Sequence, residues 1–172
     1  MIASPSLRAL FLGTFLLSQL ACLFPLPISL KGPPKTWERE FYRLPPEERT
    51  LRFDEYSVEE KIDLYLYGMT RMHPRVSSLA RPLIKQHNKR EIVPIITDRL
   101  RSVETTASEE AALSRLAWDM TTSGIDLRQE HALLEALEAA AEALKDHDPG
   151  RWITKDLRVI RAGPDGWRDL EP

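Results

Sequence analysis

The four histidines are the first candidates for acid–base or metal chemistry, since the ordinary pKa of histidine lies close to neutral pH. They stand at positions 73, 87, 131 and 147, and none of them belongs to an HExxH motif, which places two ligands on one helical face. His131 and Glu135 are four residues apart and would share a face of a helix. One histidine and one carboxylate are too few for a zinc site. No metal site and no cofactor site is therefore predicted.

The chain also lacks the motifs of nucleophilic and phosphate chemistry. G-x-S-x-G, the P-loop and G-x-G-x-x-G are all absent, and the single cysteine, Cys22, stands in the N-terminal leader. No catalytic residue is assigned on this basis. A small envelope enzyme or enzyme subunit, with a site between helices near His131 and Glu135, remains the alternative function.

An uncharged run over residues 9–30 dominates the N-terminus. Its apolar part, Ala9–Phe24, is longer than the roughly 7–15 residues of a signal-peptide core and shorter than the roughly 20 of a spanning helix. Pro25 and Pro27 disfavour a longer helix because each lacks a backbone N–H. Residues 1–30 are predicted to be a signal peptide or a membrane anchor.

Cys22 closes this apolar run, directly after Leu20 and Ala21. The Leu-Ala-Cys sequence resembles the lipobox of bacterial lipoproteins, although Gln19 stands where that family prefers an aliphatic residue. The resemblance implies a thioether-linked lipid on Cys22, which would become the mature N-terminus. Lipidation, an uncleaved anchor and ordinary cleavage all stay open. The protein is predicted to be membrane-associated or exported to the cell envelope, and a domain facing the cytoplasm is the alternative for an uncleaved anchor.

Composition and proline content bound the remainder of the chain. When the leader is removed from the 172-residue chain, the remainder has the length of about one ordinary domain. The net charge of −2 argues against a nucleic-acid binder. Residues 31–56 are predicted to be a proline-rich spacer with one short amphipathic helix. Its apolar residues Trp37, Phe41 and Leu44 are expected to pack on the domain, and a lipid-surface role is the alternative.

Residues 57–150 carry repeated helix signals. Capping-box spacings begin at Ser57, Asn88 and Thr106, and Asp126 starts the last long helix, which Asp148-Pro149-Gly150 is expected to end. Apolar residues at helical period follow each start. The fold class is therefore all-α, with about five antiparallel helices. Residues 151–172 are predicted to be a less regular C-terminal tail with a turn at residues 163–166. Its apolar residues between 152 and 160 are expected to cover the last hairpin, either as a capping helix or as short strands.

Alternate helices start at intervals typical of an α-hairpin repeat. The segment Ile92–Leu100, with Pro94 in its early turns and spaced aliphatic residues, resembles the first helix of a HEAT-like repeat. The resemblance implies stacked α-hairpins that bind partners along one surface. A plain helical bundle is the alternative architecture.

Charge is distributed unevenly along the predicted domain. Residues 71–101 contain eight basic and two acidic side chains, and residues 104–148 contain eleven acidic and three basic ones. A basic binding patch for an acidic protein or for lipid headgroups is predicted at Arg71, Arg75, Arg81, Lys85, Lys89 and Arg90. The alternative is that the two segments complement each other within the fold.

Together these features predict a membrane-tethered or exported, non-enzymatic helical scaffold or adaptor. It would contact the membrane through its N-terminal segment and act by protein–protein interaction. An acidic protein is the candidate partner, and nucleic acid is not expected.

Overall fold

The computed structural model describes residues 36–72 and 79–170. These residues form α1 (Thr36–Arg43), α2 (Pro46–Glu55), α3 (Val58–Arg71), α4 (Ala80–Gln86), α5 (Lys89–Arg101), α6 (Ala107–Thr122), α7 (His131–Ala143) and α8 (Asp148–Gly166), followed by a 3-10 turn at Trp167–Leu170. No strand occurs among them, so the all-α prediction is confirmed. None of the helices in this described part is both long and apolar enough to cross a bilayer.

Three helices begin with the predicted capping boxes. Ser57 of α3, Asn88 of α5 and Thr106 of α6 each accept a hydrogen bond from an N–H of the first helical turn. In each case the glutamate three residues further on accepts a hydrogen bond from the cap residue's own N–H. Each box satisfies N–H groups that have no partner within the helix, which fixes the point where the helix begins.

The predicted helix start at Asp126 is wrong, because α7 begins only at His131. The Asp126 carboxylate instead accepts hydrogen bonds from Arg128, at 3.0 Å from its backbone N and 2.7 Å from a terminal guanidinium nitrogen. This local turn competes with helical geometry and delays α7. Leu127, which lies inside the turn, is fully buried and ties the connection to the core.

Helix α8 is a second correction. Asp148-Pro149-Gly150 does not end a helix; it forms the first turn of α8. The tail, predicted to be less regular, is helical up to Gly166, which agrees with the capping helix and not with the short strands. Pro149 suits this turn because its missing N–H would have no partner there. At Gly150 a Cβ atom would overlap the carbonyl of Leu144, so the close approach of the preceding chain requires glycine.

The predicted turn at residues 163–166 appears as a bend within α8. Gly163 has a φ of +76°, which side-chain-bearing residues rarely adopt. A Cβ at this position would also lie 2.8 Å from Nε of Arg128. Beyond the bend, the 3-10 turn brings the ring of Trp167 to 6.4 Å from that of Trp118, edge to face.

Helix α6 is central to the packing. It makes its most extensive contact with α8, and it also touches α3, α4, α5 and α7. The next largest contacts join α7 to α8 and α5 to α7. The continuous core between these helices includes the fully buried side chains of Leu83, Ile96, Leu113, Leu116, Met120, Leu133, Leu137, Ile153 and Ile160.

The amphipathic helix α1 packs on this domain, as the preferred interpretation of its sequence predicts. Phe41 is buried, and Trp37 and Leu44 pack partly buried against the same core. The Trp37 ring lies 5.3 Å from that of Tyr56. Tyr42 donates a hydrogen bond to the carbonyl of Leu64 at 2.8 Å, which fastens α1 to α3.

Candidate functional site

The pair of residues with the strongest metal-type spacing lies on the surface. His131 and Glu135 are both exposed on α7, and Glu135 has an oxygen 3.9 Å from a guanidinium nitrogen of Arg101. Within residues 36–72 and 79–170, no group of three or more His, Cys, Asp or Glu side chains is placed to hold a metal ion. Cys22, the predicted lipidation site, lies outside the described residues.

The predicted basic patch is divided between exposed and paired side chains. Arg71, Arg81, Lys85 and Arg90 are exposed, whereas Arg75 lies outside the described residues. Lys89 is partly exposed and paired: its Nζ lies 2.8 Å from Glu130 and donates a hydrogen bond to the carbonyl of Asp126. Lys89 therefore complements the acidic segment, as Arg101 does through Glu135.

The most deeply buried polar cluster, which was missed in the sequence, lies where α6 meets α8. Asp156 of α8 is only 1% exposed, and its Oδ2 accepts a hydrogen bond from the hydroxyl of Ser114 at 3.2 Å. A terminal nitrogen of Arg115 lies 3.3 Å from Oδ1. The two atoms are not aligned for a hydrogen bond, and Oδ1 has no other hydrogen-bond partner. A buried carboxylate thus keeps one acceptor position unfilled, which is uncommon.

Arg115 is held in place by an aromatic ring as well as by this carboxylate. Its guanidinium carbon lies 4.6 Å from the ring centre of Trp118, within the range of a cation–π interaction. Trp118 is in turn contacted by Trp167, so the C-terminal turn supports the stack. The Arg115 side chain is 30% exposed. Arg115 is therefore held by the Trp118 ring and by the charge of Asp156, and it makes no hydrogen bond to Oδ1 of Asp156.

The two carboxylates near Arg115 have pKa values displaced toward neutrality. Burial raises the pKa of Asp156 to about 6, against the opposing effects of Arg115 and the Ser114 hydroxyl. Burial also raises the pKa of Asp119 to about 6, and the charge of Asp156 adds to that rise while Arg115 opposes it. Displaced pKa values in one cluster are a common mark of a functional site.

An open cavity of about 470 Å³ adjoins this cluster. We name this cavity the α6–α8 groove. It is lined by Met69, Ser108, Ala111, Ala112, Arg115, Asp148, Pro149, Trp152 and Asp156. Its sides are largely apolar, and Asp156 forms its most buried point. Trp152 is 54% exposed, so a large aromatic face is available to a ligand.

The groove has the groups for binding a ligand. No histidine, cysteine or lysine is among its lining residues. Ser114 is fully buried, and its hydroxyl donates a hydrogen bond to Asp156. Apolar walls with a few convergent polar groups are typical of a ligand or peptide site.

No family model matches the chain, and no curated protein or solved structure is similar to it. The functional inference therefore depends on the geometry of the groove. One signal in the sequence could have identified Asp156 as a residue of the groove. Asp156 lies in the apolar stripe of Ile153, Leu157 and Ile160. A carboxylate in such a stripe is buried whenever its apolar neighbours are buried.

We expect the free energy of unfolding of the full chain to rise as the pH falls from about 7 to about 4. The folded pKa of Asp156 is about 6 against an ordinary 3.8, so the native state binds more protons in this window. The stability gained by protonation is complete below the unfolded pKa and is lost as the pH rises through the folded one. Asp156→Asn should reduce this rise in the free energy of unfolding by on the order of 1–2 kcal/mol, measured by urea unfolding in a mild detergent.

Asp126→Asn is the matched control. Its hydrogen bonds with Arg128 lower the pKa of Asp126 to about 2, so this group titrates below the window. The control should therefore keep the slope between pH 4 and pH 7, whatever its effect on absolute stability. An unchanged slope in Asp156→Asn would contradict the burial of its charge.

Proposed function

We propose that this chain is a membrane-tethered, non-enzymatic helical scaffold that binds a partner protein in the α6–α8 groove. The observation that carries the proposal is the half-exposed Trp152 in a groove lined by Met69, Ala111 and Ala112. Aromatic side chains beside a concave, partly apolar surface often supply most of the energy of a protein–protein contact. The charges of the partly exposed Arg115 and the buried Asp156 add groups that can select a partner.

The packing order of the helices supports the stacked-hairpin architecture within this proposal. Helices two apart in the chain, α5 with α7 and α6 with α8, pack extensively on each other. The direct neighbours α5 and α6 touch far less. The direct neighbours α7 and α8 also pack extensively, as the two helices of one hairpin do. Stacked hairpins form two layers of helices, and such arrays bind partners along an extended surface. A HEAT-like scaffold is therefore the finer architecture that we propose.

The tether is proposed from the uncharged run over residues 9–30, which precedes the prolines of the spacer. We expect the full chain to stay with membranes through an alkaline carbonate wash, and a variant lacking residues 1–30 to be released. The physical reason is that transfer of this apolar run into lipid is favourable, whereas α1–α8 already bury their apolar faces on one another.

The intact mass of the membrane-bound protein then identifies the tether. A lipid-sized increment that is lost in Cys22→Ser indicates lipidation, and an unmodified full-length mass indicates an uncleaved anchor. Release of a shortened, unlipidated chain into the wash would contradict the tether.

Binding through the groove is tested with a photo-crosslinking amino acid in place of Ser108, an exposed residue that lines the groove, in cells that naturally make the protein. The captured partner is then purified and its Kd is measured by calorimetry. Trp152→Ala should weaken binding at least about tenfold, because it removes a large aromatic contact. Leu51→Ala is the matched control: Leu51 is 70% exposed on α2, does not line the groove, and should leave the Kd unchanged. An unchanged Kd for Trp152→Ala would contradict the proposal.

A further inference from the structure

Building on the proposed groove, we infer that the partner inserts a basic side chain, lysine or arginine, whose charged end pairs with Asp156 while its stem lies against Trp152. Nothing in the sequence pattern points to this specificity. It follows from the charges that face the groove, from one unfilled acceptor, and from the apolar walls.

The negative charges around the groove exceed the positive ones. Asp148 and Asp156 line it, and Arg115 is the only cation among the lining residues. The charge of Arg115 acts on Asp119 as well as on Asp156, so one cation is shared between two acids. Arg151 lies 3.8 Å from Asp148, but both side chains are about four-fifths exposed and solvent screens the pair. An incoming cation therefore meets a net negative site.

Asp156 supplies an independent observation of a different kind. Its Oδ2 is satisfied by Ser114, whereas Oδ1 accepts no hydrogen bond although the residue is 99% buried at the edge of the cavity. An ammonium or guanidinium group would donate to Oδ1, and a carboxylate could not. Since Arg115 makes no hydrogen bond to Oδ1, a second donor can enter without breaking one.

The walls of the groove match the rest of a basic side chain. Lysine and arginine have long aliphatic stems that pack on apolar surface while the charged end reaches a polar group. Ala111 and Ala112 leave room for such a stem, and Met69 closes the α3 side. The exposed indole of Trp152 offers a face for a cation–π contact.

An acidic partner fits this groove less well. Its carboxylate could accept from Arg115, but it would stand beside Asp148 and Asp156, and like charges repel. The exposed cations Arg81, Lys85 and Arg90 belong to α4 and α5 and do not line the groove.

The pH dependence of binding follows from the surroundings of Asp156. It is faced by Arg115 and Asp119 from α6, by Tyr65 from α3 and by Lys155 on its own helix. Burial raises the pKa of Asp156 to about 6, so Oδ1 belongs to a charged carboxylate above that pH and to a protonated acid below it. Affinity for a basic side chain should fall as the pH drops through 6.

The test uses three blocked tripeptides, acetyl-Leu-X-Leu-amide, in which X is Lys, Gln or Glu. Each is titrated into the full chain in zwitterionic micelles while NMR follows the tryptophan indole N–H signals, with that of Trp152 assigned from Trp152→Phe. The Lys peptide should shift the Trp152 signal with a Kd on the order of tenfold lower than that of the Gln peptide, and the Glu peptide should bind most weakly. The signals of Trp37 and Trp167 should stay in place.

Three variants identify the charge that is responsible for binding the Lys peptide. Asp156→Asn should raise the Kd of the Lys peptide to that of the Gln peptide. Asp148→Asn, at an exposed position, should raise it a few-fold and leave the Gln peptide unaffected. Asp146→Asn removes the same charge at an exposed position outside the groove and should change nothing.

Equal affinities for the Lys and Gln peptides, no shift of Trp152 with any peptide, or tightest binding of the Glu peptide would each overturn the inference. If Asp156→Asn does not fold, a Lys-peptide Kd that stays unchanged between pH 7 and pH 5 overturns it equally. The proposed function is tested apart from these outcomes, since crosslinking from position 108 and the effect of Trp152→Ala do not depend on the partner's charge.

Discussion

The burial of Asp156 between α6 and α8 is the constraint on which the rest of the domain depends. A carboxylate taken out of water is costly unless groups of the facing helix compensate it. Ser114 and Arg115 of α6 do so, and together they fix the position of α8 along α6. That position sets Trp152, one helical turn earlier, beside the groove, and carries Trp167 against Trp118.

The same carboxylate links stability to binding. Above its pKa of about 6 the charge of Asp156 is buried with one acceptor unfilled, which lowers the stability of the fold. The unfilled acceptor is also what makes the groove selective for a donor. Proteins commonly break a packing rule at a functional site and compensate for it elsewhere. Here the compensation is the extensive apolar contact of α8 with α6 and α7.

The elements that could be predicted from the sequence are those set by local interactions. The starts of α3, α5 and α6 follow from hydrogen bonds that span four residues. Helix α8 could not be located in the same way, since Pro149 and Gly150 serve equally as a stop signal and as a first turn. Only packing against α6 decides between these two roles.

The candidate site depends on that missed helix, so its residues could not be assembled from the sequence. His131 and Glu135 have a suggestive spacing, yet both side chains are exposed on α7. Asp156 has no motif around it, and only its position in an apolar stripe marks it as unusual. Residue type and spacing show which side chains can react. Burial in the structure shows which of those side chains have a pKa that the fold has shifted.

The most direct test of the buried carboxylate is an NMR titration of the Asp156 side-chain carboxyl carbon in the full chain, assigned from Asp156→Asn. Burial between α6 and α8 predicts a midpoint near pH 6. A midpoint near the ordinary value of 3.8 would mean that the carboxyl is hydrated, and it would contradict both the closed α6–α8 contact and the groove that depends on it.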